Sequence, residues 1–309
     1  MSRRLVLVVA VLATAGLCLA ATSVAATSVR GGGAAGAHPA AVAKLPALPA
    51  YVKKRQHWVI GVKCDFPPFG YIDYQGNNRG YDVAVARRFA TLAFGRPNRI
   101  RLKCVTTPSR IPTLQAGLVD IIVSTLTWTA ARAQVIDYSI PYYSATGRLL
   151  VPNNSNLNIH NLAGKTIVTT RGAIYATWVR NCFKSSNLLE VDGTAAAVLA
   201  VKEGRADTFM FDDAFNIGVA TQDPTLKLTN DKFLNVPWGI GIRKGDTAMA
   251  RWVNAAIRYM AKRGEFDRIL KSNVPKRYVS SFIGNVPGKN RHFAYPIGKD
   301  PSSDCSGVF

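Results

Sequence analysis

Ser124–Tyr138 reads STLTWTAARAQVIDY. It closes the run Asp120-Ile121-Ile122-Val123, whose apolar residues mark a buried strand. The chain then turns polar through Thr125, Thr127 and Thr129 and brings in Arg132 three residues later. Thr129 suits the N-cap of a short helix over residues 130–135. A strand end, hydroxyls, a helix start and one arginine thus meet in a single short segment. Such a junction fits an anion, which helix N-terminal N–H groups and a two-pronged guanidinium can share. Taken alone, it fits equally well a plain strand–helix connection with a surface arginine.

Working outward, strand-like and helix-like segments alternate. WVIGV (58–62) is a strand, followed by a loop rich in Pro, Gly and Asn. A helix is expected over 81–94, with Val85, Phe89 and Leu92 on one face and Asp82 favourable to its N-terminal dipole. IRLKCV, a short helix at 110–116, and DIIVST follow. The pattern then restarts with TIVTT, a helix at 173–183, LLEV, a helix at 195–203 and ADTFMF. LKLT, GIGIR and a long helical region at 247–271, broken at Gly264, complete the folded part. Alternation of this kind implies α/β architecture, a mostly parallel sheet with helices on both faces.

One internal echo divides the chain. LQAGLVDIIVST (114–125) and VKEGRADTFMFD (201–212) share a helix ending in glycine, an aspartate three residues on, and a strand. The first strand ends on Thr125, the second on Asp212. In open α/β sheets ligands bind beyond the carboxyl ends of the strands, so two such units facing each other form a cleft.

The chain has 309 residues, 48% apolar, with a net charge of +21. That length supports one large or two medium domains. The basic excess raises the question of nucleic acid, but no basic run or zinc-type cysteine spacing accompanies it, so no nucleic-acid partner is expected. Arg3 and Arg4 precede the apolar run 5–21, and Ser23-Val24-Ala25 offers a cleavage site, so residues 1–25 are read as a secretory signal peptide. Export to a periplasmic or extracellular location follows, with membrane tethering if the signal stays uncleaved. Residues 26–50, rich in Ala, Gly and Pro, are read as a flexible tether, and 274–309 as an irregular basic extension. Cys64, Cys104, Cys182 and Cys305 remain after signal removal and permit three pairings. Cys64 and Cys104, near the ends of two strand-like runs, can bridge neighbouring strands. Cys182 and Cys305 are the pair left over, and the connectivity stays open.

IGVKCDFPPFGYID, GYDVAVARRFA, IPTLQAGLVDIIVSTLTWTAARAQVIDYSIPYY, NLAGKTIVTTRGA, KEGRADTFMFDD and PWGIGIRKGD resemble, in order and spacing, the family-3 extracellular solute-binding proteins. These are the polar amino-acid receptors of ABC importers. The opening Gly61-x-Lys63-x-Asp65 is most similar to the aspartate/glutamate-binding members. The resemblance implies a type II periplasmic-binding-protein fold, with two α/β lobes joined by crossover strands near 147–151 and 233–238. Lobe 1 would take 51–146 and 237–273, and lobe 2 would take 150–234. It implies a hinge-closing monomer without cofactor or metal, partnered by permease membrane subunits. For the site it implies Arg132 on the ligand α-carboxylate, Thr127 beside it, and the Thr125 carbonyl and Asp212 on the ammonium. Gly172-Ala173-Ile174 would form a helix N-terminus at the carboxylate, and Phe69 would cover the apolar part of the ligand. Arg110 and Lys63 would favour a second negative charge, placing glutamate or aspartate ahead of glutamine.

The same fold also serves periplasmic prephenate or arogenate dehydratases, which need a general acid. After the signal peptide the glutamates are Glu190, Glu203 and Glu265, and none falls at an expected cleft position. The expectation is therefore a receptor and not an enzyme.

Overall fold

The computed structural model describes residues 45–306. The segments read as a signal peptide and as most of a tether lie outside the described residues. Eight principal strands are β1 (Trp58–Lys63), β2 (Ile100–Val105), β3 (Ile121–Thr127), β4 (Tyr143–Pro152), β5 (Thr166–Thr170), β6 (Asn187–Val191), β7 (Thr208–Asp212) and β8 (Phe233–Arg243). The main helices are α1 (Tyr81–Phe94), α2 (Arg110–Gln115), α3 (Ala130–Val135), α4 (Ile174–Cys182), α5 (Thr194–Lys202), α6 (Asp213–Gln222), α7 (Thr247–Lys262), α8 (Glu265–Asn273) and α9 (Lys276–Phe282).

The strands run in the order β6-β5-β7-β4-β8-β3-β1-β2. β1 pairs in parallel with β2 and β3, and β5 in parallel with β6 and β7. The long strands β4 and β8 pair antiparallel in the middle and connect the two halves. These are the expected crossovers, and the two α/β lobes are the expected architecture.

The internal echo has a structural cause. Gly117 and Gly204 both adopt positive φ, 69° and 71°, where a side chain would be strained. Each lets a helix end and the chain turn back. Asp120 then accepts the Val59 N–H at 2.7 Å, and Asp207 accepts the Thr166 N–H at 2.8 Å. In each lobe the aspartate fastens the start of its own strand to the start of the neighbouring one.

The lobes stand closed. Phe66, fully buried, has ring centroids of Phe211 at 5.7 Å, Phe215 at 5.3 Å and Trp238 at 5.8 Å. Thr194 of lobe 2 donates to the Asp65 carbonyl at 2.6 Å. Disulfides join Cys64 to Cys104 and Cys182 to Cys305, with Cα separations of 5.5 and 5.4 Å.

Three segments differ from the sequence reading. Leu45 and Leu48, taken as the end of a flexible tether, pack on the core, and residues 50–55 form a helix. α6 forms although its Gly218, Asn216 and β-branched residues favour helix weakly; packing against β4 decides it. The extension read as irregular begins with α9, whose Tyr278 and Phe282 are buried. Apolar side chains in a stretch of low periodicity found a surface to cover. Among the described residues, no helix is long and apolar enough to cross a membrane.

Candidate functional site

A small space lies between the lobes at the carboxyl ends of the strands. Thr107, Arg110, Thr125, Thr127 and Arg132 line it from lobe 1, and Ala173, Ile174, Tyr175, Phe211 and Asp212 from lobe 2. In the closed form it has room for about one water molecule. A ligand larger than water therefore enters only after the lobes part.

The segment 124–138 builds most of the lobe 1 wall. Thr129 caps α3 as expected, its hydroxyl accepting the Arg132 N–H at 3.2 Å. That fixes the start of the helix and aims the Arg132 guanidinium. Arg132 donates to the Thr127 carbonyl at 2.7 Å and, across the cleft, to the Gly172 carbonyl at 2.8 Å. Gly172 permits this approach: an added Cβ would lie 3.1 Å from the Pro108 Cα, and its φ of +75° disfavours any side chain.

Thr125 has φ +49°, a left-handed conformation that is costly for a β-branched residue. It is held there from behind. Its N–H lies 3.1 Å from both an Asp82 carboxylate oxygen and the Tyr142 hydroxyl, and that hydroxyl donates to Asp82 at 3.0 Å. The turn points the carbonyls of Ser124 and Thr125 at Arg110, which donates to them at 2.7 and 3.1 Å. The Thr125 carbonyl, expected to meet the ligand ammonium, is thus already engaged by a cation.

Arg110 is 4% exposed and forms no ion pair with an acidic side chain among the described residues. Burial, reinforced by the neighbouring Arg132 charge, pulls its pKa down to about 9. Across the cleft, Asp212 is also buried and accepts the Tyr175 hydroxyl at 2.7 Å. Burial raises its pKa to about 7, against the opposing pull of that hydrogen bond. Asp213 beside it has a separate task, accepting the hydroxyl and N–H of Thr146 at 2.9 and 3.2 Å. The two adjacent carboxylates therefore divide: Asp212 faces the cleft and Asp213 secures the crossover strand.

Lys63 stands one layer behind the wall. It is fully buried, donates to the Thr107 hydroxyl at 2.8 Å and pairs with Asp65 at 2.9 Å. Burial lowers its pKa, with Asp65 opposing. Phe69 is not at the cleft space. Its ring is fully buried among Tyr81, Tyr143, Trp238 and Phe282, with centroids 4.9–5.5 Å away. The loop around the Pro67-Pro68 pair turns it inward to seal the lobe 1 core beside the crossovers.

Thr107, Tyr175 and Phe211 were not anticipated. Thr107 follows the end of β2, so the strand-end rule that selected Thr125 and Asp212 points to it as well. Tyr175 enters through a hydrogen bond to a residue 37 positions away, which local pattern does not reveal. Glu190, Glu203 and Glu265 are all in ion pairs with arginines outside the cleft.

Residues 58–276 match the model of the bacterial extracellular solute-binding proteins, family 3. The chain belongs to that family. It is 32% identical over 225 residues to the ABC transporter glutamine-binding protein GlnH of Bacillus subtilis, covering 72% of this chain and 82% of the relative. It is 36% identical over 196 residues to the glutamine-binding protein of Geobacillus stearothermophilus, covering 62% and 75%. Among solved structures, the solute receptor for L-cysteine of Neisseria gonorrhoeae superposes with a TM-score of 0.72 at 25% identity, covering 76% of this chain and 96% of that one. These relatives are binding proteins, and nothing among them supports the dehydratase alternative.

Proposed function

We propose that the protein is the extracytoplasmic receptor of an amino-acid ABC importer, acting as a monomer that delivers its ligand to permease subunits. Its ligand is an amino acid with a polar side chain, and glutamate or aspartate fits best. Arg132 grips the α-carboxylate with Thr127 beside it, and Asp212 takes the ammonium. The observation that carries the acidic reading is Arg110: a buried guanidinium, bonded among the described residues to two carbonyls and to no carboxylate, next to a second arginine. An unpaired buried cation is costly, and a side-chain carboxylate relieves that cost. A carboxamide supplies a hydrogen-bond acceptor without the charge. Glutamine is the second reading, favoured by the two glutamine-binding relatives.

A micromolar complex requires about 8 kcal/mol. Charge-assisted hydrogen bonds at roughly 1.5–3 kcal/mol each reach that after closure and ordering are deducted. Calorimetry against the twenty L-amino acids tests the assignment. Arg110→Met is expected to weaken glutamate more than glutamine; equal losses would make Arg110 a structural residue. Arg132→Ala is expected to weaken every bound amino acid at least tenfold, and unchanged affinity would displace the site.

A further inference from the structure

The chain does not end at lobe 1. After α9 it passes the fully buried Val286 and comes up against Gly239 of β8 at Tyr295. Tyr295 donates to the Ser139 carbonyl at 2.5 Å and stacks on Trp128, centroids 5.9 Å apart at 23°. Gly239 of β8 makes room for it, since an added Cβ would lie 1.9 Å from the Tyr295 hydroxyl. Asp300 accepts the Ala130 N–H, the first of α3, at 2.6 Å. Both contacts hold the segment that carries Thr127 and Arg132.

Within five more residues the chain is on lobe 2. Asn181 donates to the Ser302 carbonyl at 3.0 Å, and the buried Trp178 to the Asp304 carbonyl at 2.8 Å. Cys305 is then bonded to Cys182 at the last position of α4. The opposite end of α4 presents Ile174 and Tyr175 to the cleft. Trp178 also stacks on Phe233, where the crossover β8 begins, at 5.2 Å.

We infer that residues 295–305 form a strap between the two walls of the ligand cleft, with Tyr295 and Asp300 as positioning residues for the Arg132 segment and Cys182–Cys305 as its fastening on lobe 2. The lobes then have three covalent connections among the described residues, two through the sheet and one outside it. Ten residues reach at most about 36 Å when extended, so the strap does not forbid opening. Opening must pull Asp300 and Tyr295 off lobe 1 while the disulfide keeps the far end in place. The strap thereby resists parting of the lobes and returns the Arg132 segment to one geometry on closure.

The test uses the full exported chain and three variants: Asp300→Ala, Asp300→Asn, and Cys182→Ser with Cys305→Ser. Cys64→Ser with Cys104→Ser, which cuts a disulfide within lobe 1, is the control. Small-angle scattering and amide hydrogen exchange of the ligand-free protein need no ligand, so they judge the strap whatever the amino acid proves to be. The expected result is a larger radius of gyration and roughly tenfold faster exchange at Thr125–Arg132 in Asp300→Ala and the Cys182/Cys305 variant. Asp300→Asn, whose amide oxygen can still accept the Ala130 N–H, is expected to stay near wild type, as is the control. In stopped-flow work with L-glutamate and L-glutamine, dissociation from Asp300→Ala should quicken about tenfold while Tm moves little. If the Cys182/Cys305 variant does not fold, Asp300→Ala with the disulfide intact decides by the same readouts. Scattering and exchange unchanged in Asp300→Ala, or altered equally in Asp300→Asn and the control, would overturn the strap.

Discussion

Asp212 is the residue whose environment says most about how binding responds to pH. It is a buried carboxylate with one hydrogen-bond donor among the described residues, and burial holds its pKa at about 7 even with the Arg110 and Arg132 charges opposing. In the proposed function a ligand ammonium beside it favours the charged form, so binding near neutrality expels a proton. Affinity is expected to fall below pH 7, by at most about tenfold per pH unit. Calorimetry in two buffers of different ionisation enthalpy reads the proton release directly, and Asp212→Asn should abolish it. Heats independent of buffer at pH 6–7 would remove Asp212 from the ammonium site. The residue itself was legible, because it ends a strand in the echo that pairs it with Thr125. Its partner Tyr175 was not, since nothing in the local spacing places that hydroxyl beside a carboxylate 37 residues on.

Among the elements, the junction between α1 and β3 sets the shape of the cleft wall. Asp82 stands in the first turn of α1, yet its carboxylate is spent on Thr125 and Tyr142 and not on the helix dipole alone. Burial raises its pKa from 3.8 to about 7. A carboxylate whose pKa is raised by folding contributes stability that is present below its unfolded value and lost as pH rises through the folded one. Thermal unfolding is therefore expected to show a contribution favouring pH 5 over pH 8 that Asp82→Asn removes. Asp82→Ala, leaving the Thr125 turn short of a partner, should cost about 2 kcal/mol. A pH dependence identical in Asp82→Asn and wild type would show that the carboxylate is not the source. Helices with a clear apolar stripe were readable: α1 and α3 fall where periodicity and the Thr129 cap place them. α6 was not, because its fold rests on contacts with β4 and on Asn216 reaching the Arg148 carbonyl at 3.0 Å. The tail was also not legible. Tyr295, Asp300 and Cys305 follow no period, and each depends on a partner more than a hundred positions away.

Across the whole molecule, the charge that composition reports as one number is unevenly placed. Residues 45–146 and 237–306 carry 26 Lys and Arg against 10 Asp and Glu, while 147–236 carry nine against eight. Nearly all the excess of the described residues therefore lies outside 147–236, and most of it on lobe 1, the lobe that also supplies Arg110 and Arg132. Alternation and the repeated Gly-x-x-Asp unit are enough to see two lobes in the sequence, but assigning the charge to one of them needs the crossovers to be located. A one-sided positive field draws anions toward the open cleft and leaves a net-neutral zwitterion almost unaffected. Raising ionic strength from 0.01 to 1 M shortens the screening length from about 30 to about 3 Å. The association rate of glutamate is expected to drop several-fold over that range, and that of glutamine to hold steady. Stopped-flow measurement of both ligands on the same preparation separates steering from any effect of salt on the protein. A parallel fall for glutamine would assign the effect to the protein. A salt-independent glutamate rate would mean that the lobe 1 charge faces away from the entry path, and would leave Arg110 as the sole basis for preferring an acidic ligand.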